Sequence, residues 1–304
     1  MNLREAIVAW IESRKPTCSP VTINNYLTWM RKLARCYWDP QGLMEMHPAK
    51  ALAEDKLTAL YVALVNDGKR PGTVNMYSTA VKMLGKWLYR SGALNHRQYT
   101  NVSSVNARRS AINNMPNKTR IPFTESDYKQ LVDMAEESGS LWNIPARLGW
   151  ETGIRLSDCL NLTIDAFDIK AGTVTFVPGK TAYRKPNPVT VPLTQETVDI
   201  IRDRIEEIQD EDPTEKRLNA KLVGAKVRFW KGEGFKVLCK MADIKGKSFH
   251  CLRHGLVSRL KNAGVDTLVI CSITGQSPAT VARYTVINMD TKMKALQIPQ
   301  KTSK

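Results

Sequence analysis

Apolar residues recur at helical spacing through the first third of this 304-residue chain, and nothing in that stretch alternates as a strand would. A chain with this pattern can bury its apolar side chains only by packing helix against helix. The spacing predicts helices over Leu3–Ile11, Val21–Tyr37, Ala51–Val65 and Val74–Leu88.

A polar, basic stretch separates this helical segment from the rest of the chain. Between residues 95 and 120 large apolar residues are few, and basic side chains stand among Ser and Asn, as in an exposed linker. We therefore place a boundary near Lys118 and expect two domains, residues 1–118 and residues 119–304.

The second segment mixes strand and helix signals. Thr124–Asp127 is a capping-box variant that opens a helix. Thr173–Val177 and Pro188–Leu193 predict two strands joined by a basic hairpin loop. Further helices are expected over Leu141–Thr152, Gln195–Ile208, 214–242, Phe249–Asn262 and Asp266–Ile273. The predicted fold class is mainly α with a small β-sheet (α+β).

The charge balance favours a polyanionic partner over a membrane. Lys and Arg number 45 against 29 Asp and Glu, a net charge of +16, and residues 1–118 carry 17 against 7, a net charge of +10. The sequence has no run of about 18 apolar residues, and Glu5 and Glu12 interrupt the N-terminal stretch where a signal peptide is apolar. We expect no membrane partner and a cytoplasmic or nuclear location.

The cysteines indicate neither a disulfide framework nor a zinc ribbon. All six are scattered, with no CxxC pair. The cluster His250–His254 contains one Cys and two His but lacks a second ligand pair at suitable spacing. No Gly-rich phosphate loop is visible. The expected cofactor and metal requirement is therefore none.

Four separated pieces carry residues with chemical potential. They are Thr152–Asp158, Gly179–Thr181, His250–His254, and Gly275–Pro278 followed by Arg283–Thr285. Each alone is common, but together they give an Arg, a Lys, a His-x-x-Arg pair and a Tyr in that order. This series resembles that of the tyrosine recombinase (phage integrase) family, over most of residues 120–290. The resemblance implies a helical core-DNA-binding domain, a mixed catalytic domain, and DNA cut and rejoined through a 3′-phosphotyrosyl intermediate.

The chemistry explains the residue types. Attack of a phenol on a DNA phosphate builds negative charge on the non-bridging oxygens, which the guanidinium forks of Arg155 and Arg253 would stabilise. Lys180, at the hairpin tip, would protonate the departing 5′-oxygen. A free phenol titrates near pH ~10, so Tyr284 needs a base, for which His250 is the candidate. Ordinary packing of the Tyr and His rings is the competing interpretation.

Two supporting residues and one departure accompany these five. Asp158 would orient Arg155, and His254 completes the His-x-x-Arg-His signature. Gln276 stands where the family usually has His or Trp; its amide can donate a hydrogen bond to a phosphate but cannot exchange protons. Gln276 and Tyr284 are eight positions apart, one fewer than usual, so the chain near Ser277 must be tightened.

Two helices of the first segment begin alike, in Ser19–Tyr26 and Arg70–Tyr77, with a Pro, Thr, Asn and Tyr at matching positions. A shared way of starting a helix explains this better than a true repeat. Their basic side chains are either a solvated face or contacts to the DNA backbone, and the net charge favours DNA. The candidate DNA-binding residues are Arg31, Lys32, Arg35, Lys82, Lys86 and Arg90, together with Arg184 in the hairpin loop.

We therefore expect a site-specific recombinase that closes two domains around double-stranded DNA. It would act as a tetramer on two DNA sites, and it could be a monomer in the absence of DNA. We expect it in the cytoplasm, associated with the nucleoid, or in the nucleus. The alternatives are a type IB topoisomerase-like enzyme and a non-catalytic DNA-binding protein of the same fold. The tail Val286–Lys304 either docks on a neighbouring subunit or frays. No arm-type domain is expected before the helical segment, so simple core sites with inverted half-sites are expected.

Overall fold

The computed structural model describes residues 1–105, 121–179, 187–211, 220–223 and 233–296. The chain divides into two compact units, Met1–Lys118 and Thr119–Lys304. No helix in the described ranges is long and apolar enough to cross a bilayer.

The first unit consists of helices, and the four predicted from apolar spacing are confirmed. Its helices are α1 (Leu3–Arg14), α2 (Pro20–Leu33), α3 (Pro48–Ala51), α4 (Glu54–Asn66), α5 (Pro71–Arg90) and α6 (His96–Ser104). A π-helical turn, Ala34–Trp38, continues α2. The buried face of each long helix supplies one core, in which Trp10 and Trp38 are almost wholly enclosed.

Helix α6 corrects the prediction of a continuous linker from residue 95. Asn95 caps its first turn in a capping box with Gln98, whose side chain accepts from the Asn95 backbone N–H. Val102 is the one buried residue of α6, and it belongs to the core of the first unit. A single apolar anchor gives no periodic pattern, so the capping box was the only local signal.

The second unit is helical with a small sheet, which confirms the predicted fold class. Its elements are α7 (Glu125–Glu137), α8 (Asn143–Thr152), α9 (Leu156–Cys159), β1 (Phe167–Asp168), β2 (Thr173–Phe176), β3 (Val189–Pro192), α10 (Gln195–Glu211), α11 (Glu233–Met241), α12 (Phe249–Asn262), α13 (Thr267–Thr274), α14 (Pro278–Tyr284) and α15 (Met289–Ala295). The three strands pair antiparallel in the order β1-β2-β3. Thr175 faces Thr190 across β2 and β3, and their hydroxyls are 2.8 Å apart.

Helix α12 is the central element of this unit. Residues from Phe249 to Ser258 are buried with the exception of His250, which is half-buried. Phe249 and Leu252 pack against α8 beside Gly149. Because α12 carries the His-x-x-Arg-His signature, these contacts fix three predicted site residues on a largely buried helix.

Candidate active site

Two helices of the second unit end at glycines, and predicted site residues follow at once. Gly153 after α8 has φ of +62°, and Gly275 after α13 has φ of +61°. Glycine adopts this left-handed conformation without strain and commonly ends helices in this way. The turns direct the chain from each helix end to Arg155 and to Gln276.

The turn after α13 also lies tightly against the end of the β2 strand. A Cβ at position 275 would lie 3.0 Å from Cγ of Pro178 and 3.4 Å from Cγ2 of Val189. A Cβ on Gly179 would lie 3.0 Å from Oδ1 of Asp158. The segment Pro178–Gly179 therefore contacts Gly275 on one side and Asp158 on the other. Gly179 is the residue before Lys180. Lys180 itself lies outside the described residues.

Arg253 links the two helix ends. Its Nη1 donates to the carbonyl oxygen of Gly153, and its Nη2 donates to that of Thr274 at 2.6 Å. Carbonyls at helix C-termini are unpaired within the helix and carry partial negative charge, so a cation is well placed there. Arg253 is only 2% exposed, and its Nε has no hydrogen-bond partner among the described residues. Donor capacity therefore remains for a ligand.

The site carries excess positive charge. Burial, together with the neighbouring Arg155 guanidinium, lowers the pKa of Arg253 to about 10. Nη1 of Arg155 lies 3.7 Å from Oδ2 of Asp158, whose side chain is 9% exposed. A single carboxylate thus faces two guanidinium groups. An anion such as a phosphodiester would relieve this repulsion.

Tyr284 is held at both its hydroxyl and its ring. Its hydroxyl oxygen lies 2.7 Å from Nε2 of His250, within hydrogen-bond distance. The ring of His254 stacks on the Tyr284 ring, with centroids 4.0 Å apart and 14° between the planes. His250 meets the Tyr284 ring edge-on, at 80°. This arrangement can accept a proton from the phenol while keeping its oxygen in one position.

Gln276 lies at the helix end that Arg253 binds, one residue after Gly275. It is 8% exposed, and its Oε1 has no hydrogen-bond partner among the described residues. Helix α14 begins at Pro278, with Ser277 as its N-cap, and two turns lead to Tyr284. This immediate helix start accommodates the short spacing between Gln276 and Tyr284.

The structure brings the predicted catalytic and supporting residues of the second unit together, apart from the undescribed Lys180. Arg253 interacts electrostatically with Arg155, Asp158 and Tyr284, and Tyr284 contacts both histidines. Their catalytic roles stay predictions. The sequence did not predict that Arg253 would bind two helix ends, because side chain–carbonyl bonds across this many residues leave no local pattern.

The candidate DNA-binding residues lie on α2, on the turn after it and on α5. Arg31, Lys32 and Arg35 are exposed, as are Lys86 and Arg90. Lys82 is half-buried, and burial lowers its pKa. Arg184 lies outside the described residues. That these side chains bind DNA stays a prediction.

Solved structures of DNA-bound integrases share this fold. The Tn1549 transposon integrase in complex with transposon right end DNA superposes with a TM-score of 0.77, covering 98% of this chain and 99% of that chain at 14% identity. A lambda integrase tetramer bound to a Holliday junction gives a TM-score of 0.70, covering 94% of this chain and 78% of that chain at 14% identity.

Sequence comparison agrees with the fold. Tyrosine recombinase XerA of Pyrococcus furiosus is 25% identical over 169 residues, 54% of this chain and 56% of that protein. The chain thus spans about half the length of this curated relative. The model of the phage integrase family matches residues 122–291, more than half of the chain, and this range contains every predicted catalytic residue. The chain therefore belongs to the phage integrase family.

Proposed function

We propose that this protein is a site-specific DNA recombinase that cuts and rejoins DNA strands through a covalent 3′-phosphotyrosyl link to Tyr284. The observation that carries the proposal is the 2.7 Å approach of the Tyr284 hydroxyl to Nε2 of His250, beside the buried cation Arg253. Attack on a DNA phosphodiester requires a nucleophile, a base that accepts its proton and a cation that stabilises the developing negative charge.

In the forward reaction the Tyr284 oxygen forms a bond to phosphorus and its proton passes to Nε2 of His250. The bond from phosphorus to the 5′-oxygen breaks, and that oxygen takes a proton, for which Lys180 stays the candidate. Arg155 and Arg253 donate hydrogen bonds to the non-bridging oxygens, where charge develops. Arg253 binds the carbonyls of Gly153 and Thr274 through Nη1 and Nη2. Its Nε has no partner among the described residues and could donate to a phosphate oxygen.

Resealing is the same chemistry in reverse. A phosphotyrosyl diester has about the energy of the DNA diester it replaces, so attack by a DNA hydroxyl on phosphorus can release Tyr284. His250 then returns the proton to the phenol oxygen. Gln276 would hold a phosphate oxygen through its amide N–H, and its place at the helix end that Arg253 binds, with 8% of the residue exposed, supports this role.

The first unit would bind the DNA, and α2 and α5 carry the support for this. Their likeness extends beyond their starts, since both helices bury the same positions: Ile23 and Val74, Tyr26 and Tyr77, Met30 and Val81, Leu33 and Leu84. Thr28 and Thr79 donate equivalent 2.8 Å hydrogen bonds to the carbonyls four residues earlier. The two helices therefore present equivalent polar faces.

A shallow groove between those faces offers groups suited to reading bases. Its lining includes Thr22, Asn25, Asn75 and Thr79. Amide and hydroxyl side chains on helices recognise base edges in the major groove, while cations contact phosphates. Polar side chains in the groove and basic residues such as Arg31 toward the helix ends would divide these two tasks.

We further propose that several copies assemble on two DNA sites, because recombination joins two duplexes. The lambda integrase structure in question is a tetramer on a Holliday junction, which supports a tetramer here. Helix α15 has no buried residue, and Met289 and Leu296 are 66% and 70% exposed. This apolar surface supports docking of the tail on a neighbouring subunit. Acting on genomic DNA implies a location with the nucleoid or in the nucleus.

A nicked duplex tests the chemistry, because the short fragment released by cleavage diffuses away and traps the covalent complex. We expect wild-type protein to form a protein–DNA adduct whose link lies in the tryptic peptide that contains Tyr284. Tyr284→Phe removes one oxygen and keeps the ring that stacks on His254. It should bind DNA like wild type and form no adduct.

Tyr128→Phe is the matched control, because Tyr128 stacks on Trp150 and its charged neighbours are not among the predicted catalytic residues, so that adduct formation should stay unchanged. An adduct that persists in Tyr284→Phe contradicts the assignment of the nucleophile. A wild-type protein that binds DNA and never forms an adduct indicates the non-catalytic protein. Relaxation of supercoils without joining of two duplexes indicates a topoisomerase-like enzyme.

A further inference from the structure

Four residues on one face of α12, one on each of four consecutive turns, contact Tyr284 or the chain that follows it. His250, His254, Ser258 and Asn262 stand four residues apart, so that each lies beside the next on the helix surface. The first two contact the hydroxyl and the ring of Tyr284. The other two bind the main chain at and after Tyr284, and the family signature includes neither.

Ser258 brackets the nucleophile on its C-terminal side. Its hydroxyl donates to the carbonyl oxygen of Tyr284 at 3.2 Å and accepts from the backbone N–H of Val286 at 3.1 Å. Ser258 is 6% exposed. A buried hydroxyl that both donates and accepts in this way fixes two main-chain groups that would otherwise lose solvent without gaining partners.

Asn262 continues the contact one turn later. Its Nδ2 donates to the carbonyl oxygen of Val286 at 3.0 Å, and its Oδ1 accepts from the backbone N–H of Asn288 at 3.1 Å. The same oxygen accepts from the Thr291 hydroxyl at 3.1 Å. Both ends of one amide group therefore hold the chain that follows Tyr284.

The spacing of these contacts matches the two kinds of backbone. Thr285 and Asn288 are extended, and alternate residues of an extended chain advance about 6.6 Å. Four residues of α12 advance about 6 Å. Tyr284, Val286 and Asn288 can therefore meet successive turns of α12 in one register.

The short helix that carries Tyr284 contributes little to its position, and the other described contacts of Tyr284 are those with His250, with His254 and with the apolar cluster of Val257, Ile270 and Val281. Helix α14 has seven residues, and Val281 is its one buried residue. Tyr284 is the last residue of that helix, where terminal residues fray most readily. The position of the phenol therefore depends on the two histidines and on the groups that bind the chain at its C-terminal side.

We propose that Ser258 and Asn262 are positioning residues that register Tyr284 against α12, so that its hydroxyl meets His250 and the phosphate. They act through the main chain and touch neither DNA nor the reacting atoms. This inference rests on the proposed function of Tyr284. It assigns to these residues an effect on the rate of strand cleavage and none on the affinity for DNA.

The experiment measures single-turnover adduct formation on the nicked duplex at saturating DNA, together with the dissociation constant for the same DNA. Misplacement by about 1 Å costs on the order of 100-fold in rate. We therefore expect Ser258→Ala to lower the adduct rate by about 10-fold to 100-fold, with an unchanged dissociation constant. Asn262→Ala should lower the rate as well. Asn262→Asp keeps the acceptor for Asn288 and Thr291 and should fall between Asn262→Ala and wild type.

Two controls separate positioning from stability. Ser272→Ala removes an exposed hydroxyl that donates within α13, to the Val269 carbonyl, and should leave the rate unchanged. Ile201→Val, at a buried site on α10, lowers the unfolding free energy by about 0.5–1.5 kcal/mol and should also leave the rate unchanged. Asn262 is half-exposed, so its variants test the proposal even where Ser258→Ala folds poorly.

Each outcome decides between the two levels of the proposal. Adduct formation by Ser258→Ala and Asn262→Ala at the wild-type rate would overturn the positioning role while leaving the proposed function of Tyr284 intact. Equal losses in Ile201→Val and Ser258→Ala would also overturn it, since stability would then explain the effect. Absence of an adduct in wild type would instead overturn the proposed function.

Discussion

Replacing Gly275 by Ala tests whether the turn after α13 holds the site together. The backbone at Gly275 has φ of +61°, and an L-residue in the left-handed region costs roughly 1–2 kcal/mol. The new Cβ would also lie 3.0 Å from Cγ of Pro178 and 3.4 Å from Cγ2 of Val189. Crowding of a packed site typically costs about 1–3 kcal/mol. We expect the unfolding free energy of the second unit to fall by about 2–5 kcal/mol.

Gly264→Ala is the matched control. Gly264 follows α12 with φ of +80°, and a Cβ there would have nothing within 4 Å. The control therefore carries the backbone strain alone, roughly 1–2 kcal/mol. The difference between the two variants measures the close approach of Gly275 to Pro178.

The same comparison predicts a loss of chemistry. A shift at Gly275 moves Gln276 directly, and a shift at Pro178 moves Gly179, which lies beside Asp158. We expect Gly275→Ala to lower the adduct rate by about 10-fold to 100-fold, and Gly264→Ala to leave it within about twofold of wild type.

Urea denaturation of the full chain, monitored by amide exchange in α12 and α13, measures the unfolding free energy of the second unit by itself. The nicked-duplex assay measures the rate. Equal stability losses in the two variants would refute the close-approach argument. A wild-type adduct rate in Gly275→Ala would refute the placement of Gln276 and Gly179 at the site.

Three further predictions concern charge and hydrogen bonding. DNA affinity should fall steeply with salt, because each phosphate contact contributes about 0.9 to the slope of log K against log salt concentration. Titration at several salt concentrations measures this slope, and a flat response would contradict the prediction. Arg155→Ala and Arg253→Lys should bind DNA and cleave poorly, since the role proposed for both arginines is to stabilise transition-state charge; cleavage at the wild-type rate would contradict that role. Gln276→His should retain or raise the adduct rate and Gln276→Ala should lower it, and three equal rates would exclude Gln276 from contact with the phosphate.

The helices of this protein could be predicted where apolar spacing and end signals agree. Helix α12 has both, and its bounds Phe249–Asn262 match the prediction. Helix α6 has one buried residue and lies in a polar stretch, so its composition indicated a linker. Strand β1 has two residues, too few for any alternation to be visible. Local patterns therefore failed where a segment buries too few apolar residues, or is too short, to show a period.

The candidate site could likewise be predicted only in part from the sequence. The order Arg155, His250, Arg253 and Tyr284 is a sequence pattern, and the structure brings the four together. The contacts that create this proximity are side chain–main chain bonds between distant segments, such as the bond from Ser258 to the Tyr284 carbonyl. Each such bond needs one polar residue at one position. Ser258 and Asn262 continue the four-residue spacing of His250 and His254, but the sequence does not indicate which main-chain group each of them binds.

Arg253 explains why these distant segments converge on one place. A buried guanidinium costs several kcal/mol unless its hydrogen bonds are satisfied, and the structure satisfies it with the free carbonyls of Gly153 and Thr274. Those carbonyls also need a donor, because the helices that end there supply none. The same bonds draw the turns that lead to Arg155 and Gln276 toward α12. The pKa of Arg253 is still lowered to about 10 by burial and by Arg155, so helix ends alone do not balance the charge. The described groups therefore leave net positive charge at Arg155 and Arg253, which is the electrostatic setting that the proposed phosphodiester transfer requires.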